Sequence, residues 1–210
     1  MRTINVIGKG KIKKEPDRAI ISFQKIATNK DYDKAIETLN STIRAVLQGI
    51  KNLGINEKDV KTTNFQIYAE NKYDNELKES IFSHYKAEQK IEIEVPNEQR
   101  EINKVLKFLS DSDFSANISI DFKVSDEEGL REEALIRAIE DGKNKGNIIA
   151  NSLNLKISSV NEVIYNNTYN VFPRNQYNNI VLGKSNNMDF NINPKDIEIE
   201  ESVTIIFNIK

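Results

Sequence analysis

Two features of the chain have residue types that could do chemistry. The first is His84, the only histidine, beside Tyr85 after a charged stretch. A histidine can move a proton at neutral pH, but acid–base work needs a partner within hydrogen-bond reach. The second is a set of carboxylates. Glu88, Glu92 and Glu94 alternate along one apolar stretch, and Glu198 and Glu200 along another. If their strands pair they form acidic rows, and a hard cation would need several such oxygens converging on one point. Solvated strand faces are the simpler expectation. Asp126, Glu127, Glu132 and Glu133 fall in the first turns of a helical pattern, where carboxylates suit the positive end of the helix dipole.

A phosphate loop is suggested by Gly8-Lys9-Gly10-Lys11 but not supported. The stretch has neither the third glycine of a dinucleotide fingerprint nor the Gly-Lys-Ser/Thr ending of a P-loop. Lys9, Lys11 and Lys13 share one strand face, as expected of a lysine-rich edge that resists unwanted strand pairing. No cysteine is present, so disulfides, thiolate metal ligands and cysteine nucleophiles are excluded. One histidine cannot furnish a histidine-rich metal site within a single chain. The residues therefore predict no cofactor, no metal and no catalytic constellation. An enzyme with a carboxylate-based or His84-assisted site is the alternative.

The remaining candidate is a surface. Tyr165, Tyr169, Phe172, Tyr177 and Phe190 are scattered among asparagines in residues 161–193, interrupted by Pro173 and Gly183. Aromatic rings among adaptable amides are favoured at binding surfaces. The segment 166–193 is expected as an irregular loop or hairpin insertion, and these five residues as an interaction surface for a protein partner or a second copy. The bland alternative is that its aromatics tuck against the core.

The chain has 210 residues, 38% hydrophobic and 30% charged, with a formal net charge of -2. That length suits one domain, or two closely joined sub-domains divided near residues 80 and 81. Near-neutral charge and the lack of a basic-aromatic platform predict no nucleic-acid binding. No run approaches the roughly 20 apolar residues of a membrane span. The N-terminus shows no leader, which predicts a cytoplasmic protein as written; if Met1 replaces a removed signal peptide, a periplasmic or envelope location follows.

These groups must be positioned by elements readable from periodicity. Residues 2–7 predict a strand, with Gly8 and Gly10 as a bulge or tight bend. Ala19, Ile21 and Phe23 mark the next strand. From Asp31, the residues Ala35, Ile36, Leu39, Ile43, Val46, Leu47 and Ile50 recur at helical spacing, ending at Gly54. Strands are expected over 62–68 and 85–95, with a turn over 70–80 between them. A helix over 98–110 follows, then a strand carrying Ile118, Ile120, Phe122 and Val124. Ser125 and Glu128 have capping-box spacing for a long helix. Its inward stripe is Leu130, Ala134, Leu135, Ala138, Gly142, Gly146, Ile149, Ala150 and Leu153, and its two glycines predict close contact with a sheet or a neighbouring helix. Ile197 to Ile209 share one parity in a closing strand, and Glu201 on that inward parity suggests a bulge or a point beyond the core. The whole predicts an α+β fold: a mainly antiparallel sheet with about three helices on one face.

Five stretches together resemble one family. They are Gly8, Gly10 and Glu15-Pro16-Asp17-Arg18-Ala19; Leu53-Gly54-Ile55 with Asp59-Val60 and Phe65-Gln66-Ile67; Tyr85-Lys86-Ala87 before Ile91–Val95; the 130–153 helix; and Pro194 to Phe207. In order and spacing they are similar to the SIMPL-domain proteins. The resemblance implies an α+β subunit, frequently in a homo-oligomer, with no established enzymatic activity. It also implies links to stress tolerance, signalling or envelope structure, since bacterial members are often periplasmic or outer-membrane-associated. Gly142 and Gly146 depart from the family's usual alanines.

Overall fold

The computed structural model describes residues 2–111, 117–165, 177–181 and 190–210. In chain order the elements are β1 (Arg2–Lys14), β2 (Arg18–Asn29), α1 (Tyr32–Asn52), β3 (Val60–Asp74), β4 (Glu79–Pro96), α2 (Gln99–Asp111), β5 (Asn117–Lys123), α3 (Glu127–Ser152), β6 (Ile157–Ile164), β7 (Tyr177–Val181) and β8 (Ile197–Ile209). The fold is α+β: β1–β8, β6–β8, β2–β4, β3–β4 and β5–β7 pair antiparallel, and among the described residues three helices pack on sheets.

There are two sheets rather than one, in two compact units. One unit holds β1, α3, β6 and β8; the other holds β2 to β5, α1, α2 and β7. The units do not follow the division expected near residues 80 and 81. That boundary would cut the β3–β4 hairpin, whose strands pair from Val60↔Ile93 to Asp74↔Glu79. The chain instead makes β1, builds most of the second unit, and returns to the first at α3.

In the first unit the sheet order is β1-β8-β6. β1 and β8 pair without a register break from Arg2↔Ile209 to Lys14↔Ile197. Alternation puts Ile4, Val6 and Ile12 of β1, and Ile199, Val203, Ile205 and Phe207 of β8, in the core. The buried residues of α3 are Ala134, Ala138, Gly142, Gly146 and Ala150, one every four positions. This small-residue row lets the helix lie very close to the sheet. The wider stripe expected from sequence is cut down, since Ile149 and Leu153 are exposed.

Gly8 and Gly10 do not bend the chain. β1 runs straight through them. They face α3, and a Cβ built on Gly8 would overlap the Ala138 carbonyl oxygen and come within 2.7 Å of the Gly142 nitrogen. A Cβ on Gly10 would overlap the Ala134 carbonyl oxygen. Gly142 and Gly146 show the expected close contact from the helix side: added Cβ atoms would lie 2.9 Å from Ile205 Cδ1 and 2.6 Å from Phe207 Cε2. The cap of α3 is Asp126, whose Oδ1 accepts from Gly129 N at 3.0 Å, not Ser125.

In the second unit the sheet order is β3-β4-β2-β5-β7. The chain order β2-α1-β3-β4-α2-β5 is a split βαβ arrangement, in which β4 inserts between β2 and β3. Asp31 caps α1 by accepting from Asp33 N and Lys34 N, and Gly54 follows the helix at φ +83°. Ala35, Leu39, Ile43, Val46 and Ile50 of α1 and Ile102, Val105, Leu106 and Leu109 of α2 share one core with Ile21 and Phe23 of β2 and Ala87, Ile91, Ile93 and Val95 of β4.

Candidate functional site

β3 and β4 are longer than the core they serve. None of the fifteen residues of β3 is buried, and β4 is buried only at Ala87, Ile91, Ile93 and Val95. The outer half of the hairpin is therefore an arm, closed by a turn over 75–78 in which Asp74 Oδ1 accepts from Glu76 N at 2.8 Å and Leu77 N at 3.1 Å. The turn expected over 70–80 is shorter because both strands run on toward it.

Register assigns the arm two faces, since directly opposed residues point the same way. Phe65, Ile67, Ala69, Asn71 and Tyr73 oppose Gln89, Ala87, Tyr85, Phe82 and Ser80 on the face that carries the core. Tyr85 stacks edge-on against Tyr32 at the start of α1 (5.4 Å, 88°) and meets Phe82 at 5.0 Å. Much of the aromatic surface on this face is uncovered: Phe65, opposite Gln89, is 49% exposed, and farther out Phe82 is 46% and Tyr73 58% exposed.

The other face is polar and carries the predicted histidine. His84 opposes Glu70, and its Nε2 lies 2.9 Å from Glu70 Oε2. Register shifts between Glu70 and Asn71 because β4 has one extra residue there, Ser83. This bulge brings the Ser83 hydroxyl to 2.9 Å from His84 Nδ1. A single tautomer serves both contacts: Nε2–H donates to Glu70, and Nδ1 accepts from Ser83. The β4 carboxylates form no purely acidic row, since cations are interleaved with them. Lys86 lies 3.5 Å from Glu88, Lys90 3.3 Å from Glu92, and Arg18 Nε 3.9 Å from Glu94.

In the first unit, Glu201 is neither at a bulge nor past the core. It opposes Gly10 in an unbroken register and its side chain is 8% exposed. Arg131 Nη1 donates to one carboxylate oxygen at 3.3 Å, and the Tyr165 hydroxyl donates to the other at 3.2 Å. Arg131 also bonds Glu127 through Nη2 at 2.8 Å. That bond is the main reason its pKa is raised, with the Glu201 charge adding to it. Burial, then the negative Glu201, pushes the Tyr165 phenol up.

β1 combines two devices. On its exposed face Lys9 and Lys13 pair with Glu200 (3.5 Å) and Glu198 (3.8 Å), and Lys11 binds Glu198, whose carboxyl this bond holds below the usual range. Along its outer edge the backbone is occupied by α3. Lys9 N donates to Asp141 Oδ2 (2.8 Å), Lys145 Nζ donates to the Ile7 carbonyl (3.1 Å), and Arg137 Nη1 donates to the Lys11 carbonyl (3.1 Å). Lys145, then the Lys9 N–H, depresses the Asp141 pKa. Sequence reasoning singled out the lysines and missed Asp141, Arg137 and Lys145. Their i, i+4 spacing on one helix face is visible in the sequence, but their target is not.

Of the five aromatic residues expected to form a surface, Tyr165 is the one on Glu201. Phe190 packs against the second unit's core, and its main chain is held by Asn103, which donates to its carbonyl at 3.3 Å and accepts from its N–H at 3.1 Å. With Asn191, Gln99 and Arg100 these two line a cleft of 510 Å³. Tyr177 begins β7 and is described by its backbone; Tyr169 and Phe172 lie outside the described residues. Tyr165 and Phe190 belong to different units.

Among the described residues no group of three or more His, Cys, Asp or Glu could hold a metal ion, and no helix is long and apolar enough to cross a membrane. No curated protein matches the chain. The profile of one family, SIMPL, described as a protein of unknown function (DUF541), matches residues 4–207. That span runs from the first core residue of β1 to the last buried aromatic of β8, so the chain belongs to the SIMPL family.

Proposed function

We propose that this protein is a non-enzymatic assembly or interaction protein that associates with copies of itself through the β3–β4 arm. The observation that carries this reading is the uncovered apolar face of the hairpin, where Phe65 is half exposed beside the core and Phe82 and Tyr73 stand in water beyond Ala87, the last buried residue of β4 toward the turn. Exposed aromatic side chains that continue a core face mark interaction sites. A link to stress tolerance or envelope structure is the role that fits such a subunit in this family. Light scattering of the full chain over a concentration series tests the reading. Phe82→Ser is expected to lower the apparent mass at a given concentration at least severalfold in association constant, with an unchanged circular dichroism spectrum. A wild-type chain that stays single at every concentration would sink it.

A second reading is favoured by one contact set, Ser83–His84–Glu70. A serine hydroxyl that hands its proton to an imidazole oriented by a carboxylate is the arrangement of a hydrolytic nucleophile. A fluorophosphonate probe is the direct check. Labelling that disappears in Ser83→Ala would support hydrolysis, and a chain that never labels would rule the serine out as an activated nucleophile.

A further inference from the structure

Sheet edges offer unpaired backbone groups to other strands, and proteins normally blunt them. Among the described residues this chain treats its edges unequally. β1 is closed by Asp141, Lys145 and Arg137. β6 is interrupted by two register shifts within eight residues. β7 is five residues long. β3 is different. From Asn64 to Asp74 it runs eleven residues with no extra residue of its own, and no described strand pairs with its outer side.

We infer that the β3 edge is the contact between copies, pairing antiparallel with the same edge of a second chain so that the five-stranded sheet continues across a twofold axis at Ala69. This rests on the assembly reading above and names its site. The axis must stand perpendicular to the sheet, so the two copies present the same face to the same side, and residues paired across it share a face. Centred on Ala69, that rule places Phe65 of one copy opposite Tyr73 of the other, twice, joining the uncovered aromatic positions of the two arms. On the polar face Gln66 meets Lys72, Tyr68 meets Glu70 and Asn64 meets Asp74, with no like charges directly opposed. A shift of the axis to position 70 would set Glu70 against Glu70. A shift toward position 67 would run the pairing into the register break at Thr63. The register centred on Ala69 uses the whole run and avoids both. Main-chain bonding along an open edge with alternate side chains setting register is a recognised mode of strand addition.

Ala69 is exposed, so replacing it tests the edge with little burden on the core. Ala69→Lys and Ala69→Asp each bring like charges together at the axis. Each variant alone is expected to lose the wild-type self-association, at least tenfold in association constant, and an equimolar mixture of the two is expected to recover it. An A69K chain that keeps the wild-type mass would overturn the β3 contact and leave assembly by another surface standing. A wild-type chain that is single at all concentrations would overturn the assembly reading as well. Loss in both single variants without recovery in the mixture would also count against the pairing, because two intact, oppositely charged edges should meet.

Discussion

Gly8→Ala is expected to destabilise the first unit by about 3 kcal/mol, near the upper end of the usual cost of overpacking. An alanine in a strand is ordinarily an improvement on glycine, because glycine loses more backbone freedom on folding. Here the sign reverses because the added methyl group would meet backbone. It overlaps the Ala138 carbonyl oxygen and approaches the Gly142 nitrogen to 2.7 Å and its Cα to 2.9 Å. A flexible side chain could swing aside, but a helix backbone cannot move without lifting α3 from β1 and β8. That movement would also loosen the Ala134–Ala150 row and the bonds from Asp141, Lys145 and Arg137 to the β1 edge. Urea unfolding of the variant, beside Ile7→Ala at an exposed neighbouring position, is the measurement. A neutral or stabilised Gly8→Ala chain would mean that the helix and strand are not in backbone contact.

Arg131→Met is the second large effect, expected at about 3 kcal/mol at pH 7, the low end for breaking a buried ion pair because Arg131 itself is partly exposed. Its methionine can occupy much of the arginine's path, so lost packing is a small part of the change. What remains is a carboxylate, Glu201, 8% exposed and left with the Tyr165 hydroxyl alone. A buried carboxylate without a charged partner carries a desolvation cost that the remaining hydroxyl only partly offsets. Adding Glu201→Gln to Arg131→Met, which removes the stranded charge, should return much of the loss at pH 7. Equal stability of wild type and Arg131→Met in urea unfolding would show that Glu201 is solvated rather than held.

These effects lie where local pattern and tertiary structure part. The alternation Ile91, Ile93, Val95 and the α1 stripe ending at Ile50 were readable because strand and helix periods are local; the strand residues are in the core, and so is the α1 stripe except Ile36, half-buried, and Leu47, exposed at its margin. Capping was readable only to within a residue: Ser125 and Asp126 are both good caps, and the geometry that chose Asp126 belongs to the turn before α3. A glycine within a strand is ambiguous in the same way. It suits a bend or a close approach, and only a helix more than a hundred residues away along the chain decides for Gly8 and Gly10. The arm is the clearest gap in the candidate site. Residues 70–80 are mostly charges and amides, which reads as a turn, because the outer part of each strand faces water and no buried face imposes a clean alternation.

The sequence alone determined the family, the α+β class, the inward parity of β2, β4, β5 and β8 and the exclusion of cysteine chemistry, since all of these depend on residue type and short-range spacing. It also placed Glu201 on an inward position. Only tertiary structure supplied Arg131, seventy residues away, as its partner, turned the small-residue row of α3 into a helix–sheet contact, and separated a closed β1 edge from an open β3 edge. The physical reason is range: periodicity is set by bonds between neighbouring residues, whereas pairing, burial and edge protection depend on segments that meet only when the chain has folded.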